Sequence, residues 1–254
     1  MLDDLHPILR DQLHRVAEAY HDKYPDRGIA LITAHRSVQA QQNAYEKGRS
    51  KLDGVKRPSR HNYKPSFAFD AWPLVLKESA SQHMYIGRPP RDEAGIILSA
   101  KMGLHGDLDL DGDGDIDSRD VVAEYQRLAQ VEDDLGFRLG EDPRCGAKHM
   151  LKGQRFSLRW GGSWREHGTT PARFFDGPHY ELPPMVIHAE FQRLLFLAGH
   201  DPGRIDGLFG GKTSRAAREA ARRLGVKDWY CSPTSKTRLT PALWQALWQE
   251  VGNA

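Results

Sequence analysis

The spacing of apolar residues predicts helices at both ends of the chain. Between residues 3 and 24 the apolar positions recur every three or four residues, as they do on the buried face of an amphipathic helix. A helix is also predicted after Ser37, which is a suitable N-cap. Besides the helix at residues 3–24, helices are predicted near residues 37–47, 93–104, 186–198, 213–224 and 241–251.

Short apolar runs between these helices predict strands. The run at residues 29–33 is typical of a buried strand, and further strands are predicted at 66–72, 156–160 and 179–182. Pro73 is expected to end the second of these strands. Pro183 and Pro184 follow the last one and would stiffen a linker, so we predict a domain boundary there, between residues 1–184 and 185–254.

Composition narrows the classes of function. The chain has 254 residues and a formal net charge of +2, and its length allows one large domain or two modest ones. So mild a basic balance does not indicate nucleic-acid binding. It suits an anionic polymer such as a bacterial wall, and it equally suits ordinary solubility.

Targeting signals and cysteines exclude other classes. No run approaches the roughly 20 apolar residues of a membrane-spanning helix, so we expect no membrane insertion. The acidic N-terminus lacks the basic segment and apolar run of a secretory signal. Cys145 and Cys231 are the only cysteines, too few for a disulfide framework or a cysteine-rich zinc site.

Three residues from distant parts of the chain are candidate metal ligands. His61 lies in a polar turn, Asp70 lies on the strand that follows, and His179 opens a strand far downstream. Two imidazoles and a carboxylate leave the fourth zinc position for water, as in hydrolytic zinc sites. Spacing alone leaves open whether the three residues meet. Asp176 could take a proton from that water, or it could form a turn with Gly177.

Four segments resemble, in the right order, the motifs of the D-Ala-D-Ala metallopeptidases and the phage L-alanyl-D-glutamate endopeptidases. They are Arg36-Ser37 with Gln41, Ser59-x-His61 with Ala68-x-Asp70, Trp160-Gly161-Gly162-x-Trp164, and Asp176-x-Pro178-His179-Tyr180-Glu181-Leu182. Two features depart from the common pattern. The loop from His61 to Asp70 is longer, as in phage-type members, and a long stretch separates Asp70 from Trp160.

The resemblance implies a fold and a set of roles. The fold would be α+β, a small antiparallel sheet flanked by helices. His61, Asp70 and His179 would bind Zn²⁺, and Asp176 would act first as general base and then as general acid. Arg36 would stabilise the oxyanion or hold the peptide carbonyl; the alternative for Arg36 is a surface salt bridge.

Residues 109–120 match the twelve-residue EF-hand loop. Gly114 occupies position 6, where the turn is sharp, and Ile116 occupies the apolar position 8. The shorter Asp120 replaces the usual glutamate at position 12, which predicts modest affinity. The candidate Ca²⁺ ligands are Asp109, Asp111, Asp113, Asp115 and Asp120. The cation would make activity calcium-dependent or would only stabilise the loop; the other interpretation is a solvated acidic loop.

The C-terminal region resembles the small, all-α peptidoglycan-binding domain. Residues 203–213 match its centre and residues 191–194 match its opening helix, whereas the part around Trp229 departs from the pattern. We expect Asp206-Gly207 to form a turn, Phe209 to fill the core and Thr213 to cap a helix. A helical appendage that only stabilises the protein is the alternative.

Together these features predict a zinc-dependent endolysin that cleaves the L-Ala–D-Glu bond of the peptidoglycan stem peptide. The alternatives are a D-Ala-D-Ala carboxypeptidase and a non-catalytic wall-binding protein with a structural zinc. The expected partner is bacterial peptidoglycan, with no nucleic acid, and the expected state is a monomer. We expect synthesis in the host cytoplasm without a signal peptide and action on the wall in the periplasm after release by a holin.

Overall fold

A computed structural model describes residues 1–25, 27–75, 118–139, 142–148, 153–163, 165–166, 170–171, 176–229 and 239–252. Within these ranges the chain forms six α-helices. They are α1 (Pro7–Lys23), α2 (Val38–Glu46), α3 (Ser118–Leu135), α4 (Pro184–Leu197), α5 (Gly211–Arg223) and α6 (Pro241–Gly252). The helix predicted at residues 93–104 lies outside the described residues.

The strands of the described ranges are short, apart from the first two. They are β1 (Arg27–Thr33), β2 (Ala68–Val75), β3 (Phe137–Arg138), β4 (Arg155–Phe156), β5 (Arg159–Trp160), β6 (Arg165–Glu166), β7 (Thr170–Pro171) and β8 (His179–Glu181). Four of them form an antiparallel sheet in the order β1-β2-β8-β5, while β3 pairs with β4 and β6 with β7. The predicted mixture of helices with a small antiparallel sheet is confirmed.

The first of two compact units comprises Met1–Ala34, Ala68–Gly136 and Ser157–Glu181. Here α1 packs against α3 and β1, and α3 packs on β2. The apolar spacing noted for α1 marks its buried face, and the fully buried side chains include Leu9, Leu13, Tyr20, Leu31, Tyr125 and Leu128. The four-stranded sheet therefore has a helical layer that fixes where its strands lie.

Two strand predictions were wrong in detail. Pro73 does not end β2, because it pairs with Ile29 of β1 inside the strand. On its other edge β2 pairs with β8, and this pairing ends at Asp70. The next residue, Ala71, donates its N–H to Pro178 O at 2.9 Å. The nitrogen of Pro73 faces that same edge beyond the end of β8, so the missing N–H costs no ladder bond. The strand predicted at 156–160 is two strands, β4 and β5, in different sheets.

The second compact unit comprises His35–Phe67, Phe137–Phe156 and Leu182–Ala254. Its core is formed by α4 with α5 and α6, and Trp244 of α6 is fully buried. The Trp244 indole Nε1 donates to Pro65 O at 3.2 Å and its ring lies 4.5 Å from that of Phe67. The domain boundary predicted at residue 184 stays a prediction; Pro184 itself is the first residue of α4, a position that suits its fixed φ.

A buried glutamine organises the turn between α4 and α5. Gln192 Oε1 accepts from the backbone N–H groups of Asp206 and Gly207 at 3.1 and 2.9 Å, and Nε2 donates to Leu208 O at 3.0 Å. Gly207 has φ +73°, and a Cβ there would collide with the carbonyl of Met185. The predicted turn at Asp206-Gly207 is therefore stabilised by a side chain of α4.

Two expectations for this turn were wrong. Phe209 does not fill the core: it is half-buried, and its ring lies 5.7 Å from that of His188. Thr213 is not the cap of α5, whose N-cap is Gly210. Thr213 is buried instead. Its hydroxyl is satisfied there because it donates to Pro202 O and accepts from Gln192 Nε2.

Among the described residues, no helix combines the length and the apolar character that crossing a membrane would require. Cys145 is a buried free thiol, and Cys231 lies outside the described residues.

Candidate metal centre

The pairing of β2 with β8 brings two of the candidate ligands together. Asp70 and His179 are directly opposite each other in the antiparallel register, which places their side chains on one face of the sheet. The imidazole Nδ1 of His179 lies 3.2 Å from Oδ1 of Asp70. Two residues 109 positions apart in the sequence are thus neighbours because of strand pairing alone.

The third candidate, His61, lies in a short 3₁₀ helix, Arg60–Asn62. The Asn62 side chain fixes this turn from two directions, because Oδ1 accepts from Ser59 N and Nδ2 donates to Arg36 O, both at 2.8 Å. Arg36 N in turn donates to His61 O at 2.8 Å. His61 is almost fully buried. The hydrogen bonds therefore hold its backbone, and burial limits the movement of its ring.

The side chains of His61, Asp70 and His179 converge. One potential ligand atom from each lies within 4.8 Å of those of the other two. Both histidines are buried and Asp70 is half-buried. Two imidazoles and one carboxylate are a donor set that Zn²⁺ takes in catalytic sites with three protein ligands, so the residues present fit that ion chemically.

The charge state of His179 reflects its two carboxylate neighbours. Burial alone would lower the pKa of His179, but hydrogen bonds to Asp70 and Glu181 outweigh it and raise that pKa to about 10 in the metal-free protein. Metal ligation requires a neutral imidazole. A bound cation would therefore replace the proton that His179 holds between two carboxylates.

Glu181 is a functional candidate to which the sequence analysis assigned no role. Its Oε2 lies 3.3 Å from Nε2 of His179, on the ring edge opposite Asp70. Its other oxygen is paired with Arg159, which faces Glu181 across the β5–β8 register. A ligating histidine usually donates its second N–H to such a carboxylate, which fixes the ring's orientation and tautomer. The i, i+2 spacing in a strand was the signal for this contact.

Asp176 belongs to the turn that leads into β8. His179 N donates to Asp176 O at 3.2 Å, and the Trp160 indole donates to Gly177 O at 2.7 Å. A Cβ on Gly161 would lie 2.9 Å from that of Asp176 and 3.1 Å from that of His179. Glycine at 161 therefore lets the Trp160 segment pack closely against the turn.

Tyr125 of α3 feels the charges of two of the candidate carboxylates. It is buried, and this burial, together with the charges of Asp70 and Asp176, raises the pKa of Tyr125. Its phenol therefore stays protonated.

Arg36 is half-buried and held by a buried partner. Its Nη1 donates to Oε1 of Gln41 at 3.1 Å, and Gln41 Nε2 donates to Ser50 Oγ and Leu52 O at 2.7 and 2.8 Å. The Gln41 of the sequence motif thus restrains the guanidinium. The role predicted for Arg36 in binding the oxyanion or carbonyl stays a prediction.

Four of the five candidate calcium ligands lie outside the described residues. These are Asp109, Asp111, Asp113 and Asp115, whereas Asp120 is part of the first turn of α3. The residues after the loop belong to α3, which has Tyr125 and Leu128 on its buried face.

No protein-family model matches the chain, and no curated protein matches it. The arrangement provides three candidate ligands for a divalent cation, a carboxylate in the adjoining turn and a restrained arginine next to the His61 turn.

Proposed function

We propose that this chain is a zinc-dependent peptidase that cleaves the L-Ala–D-Glu bond in the stem peptide of bacterial peptidoglycan. The observation that carries the proposal is the convergence of His61, Asp70 and His179 within 4.8 Å. Clusters of histidine and carboxylate side chains in which a pKa is strongly shifted are typical of functional sites.

His61, Asp70 and His179 would hold the ion, which would supply Lewis acidity and lower the pKa of a bound water to about 7. Asp176 accepts one proton from the attacking water, and the water oxygen forms a bond to the carbonyl carbon. Asp176 then gives the proton to the leaving nitrogen as the C–N bond breaks, leaving a carboxylic acid and an amine. The acid passes its proton to the amine, so the final products are a carboxylate and an ammonium group. Arg36 stabilises the negative charge that develops on the carbonyl oxygen.

The choice of bond and polymer is supported by the sequence motifs. The motif order resembles that of peptidases acting on the stem peptide, and residues 186–250 resemble a wall-binding module. We infer that peptidoglycan is the partner and that the enzyme acts in the periplasm after release by a holin. Residues 109–120 would bind Ca²⁺ and order the segment between the zinc ligands. Full activity with zinc retained and calcium chelated would contradict this calcium role.

Digestion of purified peptidoglycan, followed by mass spectrometry of the soluble products, tests the proposed function. We expect stem peptides with a new N-terminal D-Glu from the wild-type chain and no cleavage by Asp176→Asn. The Asp176→Asn chain should still bind one zinc ion, because its carboxylate is not a ligand. Release of free D-alanine alone would indicate the carboxypeptidase. Absence of any cleavage by zinc-loaded wild-type chain would contradict a peptidase function.

A further inference from the structure

A groove of about 810 Å³ lies on the first unit, next to the turn that carries Asp176 but formed by other residues. We call it the α3 groove. Its volume falls within the roughly 300–1,000 Å³ of sites that bind small ligands. One wall is α3 and the other is the segment from β5 through Ser163, and its polar lining includes Gln126, Gln130, Asp133, Arg159, Trp160 and Ser163.

The exposed part of the helical wall is polar. Gln126, Gln130 and Asp133 follow i, i+4, i+7 spacing on α3 and are all exposed, so they lie on one face of the helix. The opposite face of α3 is committed to the core through Tyr125 and Leu128. The polar residues therefore lie on the exposed side of the helix, where Gln130 Nε2 also donates to Asp134 Oδ1 at 2.8 Å.

The other wall presents a rigid aromatic ring. Trp160 is half-buried, its Nε1 donates to Gly177 O at 2.7 Å, and any Cβ on Gly162 would collide with its six-membered ring. The indole is thus held in place before a ligand arrives, which reduces the entropy lost on binding. An indole face of this kind packs well against an apolar ligand surface.

The charges of the groove disfavour an anionic ligand. The cation in the lining, Arg159, is ion-paired with Glu181, and the lining also contains the carboxylates of Glu132 and Asp133. Amides both donate and accept hydrogen bonds, and carboxylates accept them from hydroxyl groups. The best-suited ligand is neutral, rich in hydroxyl and amide groups, and apolar on one face.

We propose that the α3 groove binds the N-acetylated glycan strand to which the stem peptide is attached. The specific glycan rests on the proposed function, whereas the neutral polyhydroxylated class follows from the groove. Bound there, the strand would lie beside the Trp160 segment, which packs against Asp176 and His179. The groove would therefore position the polymer and leave the chemistry to other residues.

Calorimetric titration of the full zinc-loaded chain with chitotetraose, four linked N-acetylglucosamine units, tests this proposal. In Gln126→Ala/Gln130→Ala the Kd should rise about tenfold through the loss of two amide hydrogen bonds. Alanine favours helix, so folding should be retained, as the unfolding midpoint would verify. The matched control is Gln39→Ala/Asn43→Ala, an exposed i, i+4 amide pair on α2, which should leave the Kd unchanged.

Several results would overturn the proposal. Chitotetraose that does not bind, or that binds all three chains equally, would exclude the groove as its site. A dipeptide probe, L-Ala-D-Glu, that loses affinity in the groove variant while chitotetraose does not would assign the groove to the peptide. Binding of chitotetraose should survive zinc removal, while hydrolysis should not, so failure of the groove and failure of the proposed peptidase give different results.

Discussion

Two buried carboxylate clusters in the first unit are built in opposite ways. Glu124 is fully buried and is paired with Arg27 at 3.1 Å and Arg127 at 2.9 Å, and it accepts from the hydroxyl of Tyr20. Its charge is neutralised by permanent cations. Glu181 also has an arginine partner, Arg159. Asp70 and Glu181, however, lie on the two sides of His179, whose charge depends on a proton that a metal can replace.

The difference separates a structural cluster from a candidate functional one. The Glu124 cluster is complete within the chain, and it ties α3 to α1 and β1. The second cluster adds a third ligand, His61, within 4.8 Å of Asp70 and His179. Two imidazoles beside a carboxylate provide lone pairs that one cation can share, which arginine side chains cannot do.

The largest effect should come from removing a candidate ligand at the second cluster. We expect His179→Ala to lower hydrolysis by on the order of a thousandfold, since Lewis-acid stabilisation is worth several kcal/mol. Zinc content, measured by elemental analysis after gel filtration, should fall well below one ion per chain. A variant that retained both zinc and turnover would show that His179 belongs with the structural residues.

Breaking the Glu124 cluster should damage stability and leave the metal centre intact. Glu124→Ala removes the carboxylate opposite a buried Arg27 and should lower the free energy of unfolding by about 3 kcal/mol, as measured by urea denaturation. The folded fraction should still bind one zinc ion. Asp134→Ala, at an exposed position on the same helix, is the matched control and should change stability by less than about 0.5 kcal/mol. Equal effects of the two substitutions would contradict the comparison.

A conservative change at Glu181 should sharpen the distinction within the metal centre. Glu181→Gln keeps the side-chain size but weakens the hold on the His179 ring, so zinc affinity should fall about 10- to 100-fold. Competition with a chromophoric chelator measures this affinity directly. Activity should recover at saturating zinc, which a loss of folding would not permit. Unchanged zinc affinity would show that Glu181 serves only its ion pair with Arg159.

The sequence predicted the local features of this molecule better than its long-range pairs. Apolar spacing predicts α1 because a helix buries every third or fourth residue, and motif order identified His61, Asp70 and His179. The ion pair of Arg27 with Glu124 spans 97 positions, and no local pattern encodes it. Strand β2 can continue through Pro73 because β8 ends before it. Where β8 ends depends on how the strands pair, which the sequence of β2 alone does not encode.

The smallest expected effect concerns a partly exposed carboxylate in the second unit. Asp142 is hydrogen-bonded to Arg144 and to Arg193, at 2.9 Å from the latter, and these partners lower the pKa of Asp142 to about 2. Above pH 4 the carboxylate is ionised in both the folded and unfolded chains, so the interaction is fully present. It is lost as the pH falls from about 4 towards 2, because the unfolded chain then takes up a proton first.

Urea denaturation of the wild-type chain and Asp142→Asn at several pH values tests this dependence. The wild-type chain should be more stable by about 1 kcal/mol at pH 6, a modest value because Arg144 is largely exposed to solvent. The difference should shrink steadily below pH 4. A constant difference between pH 6 and pH 3 would show that Asp142 acts through hydrogen-bond geometry alone. The difference between Asp142 and Glu124 would then depend on burial. Removing a carboxylate from its arginine partner destabilises the protein strongly only where water cannot solvate the arginine in its place.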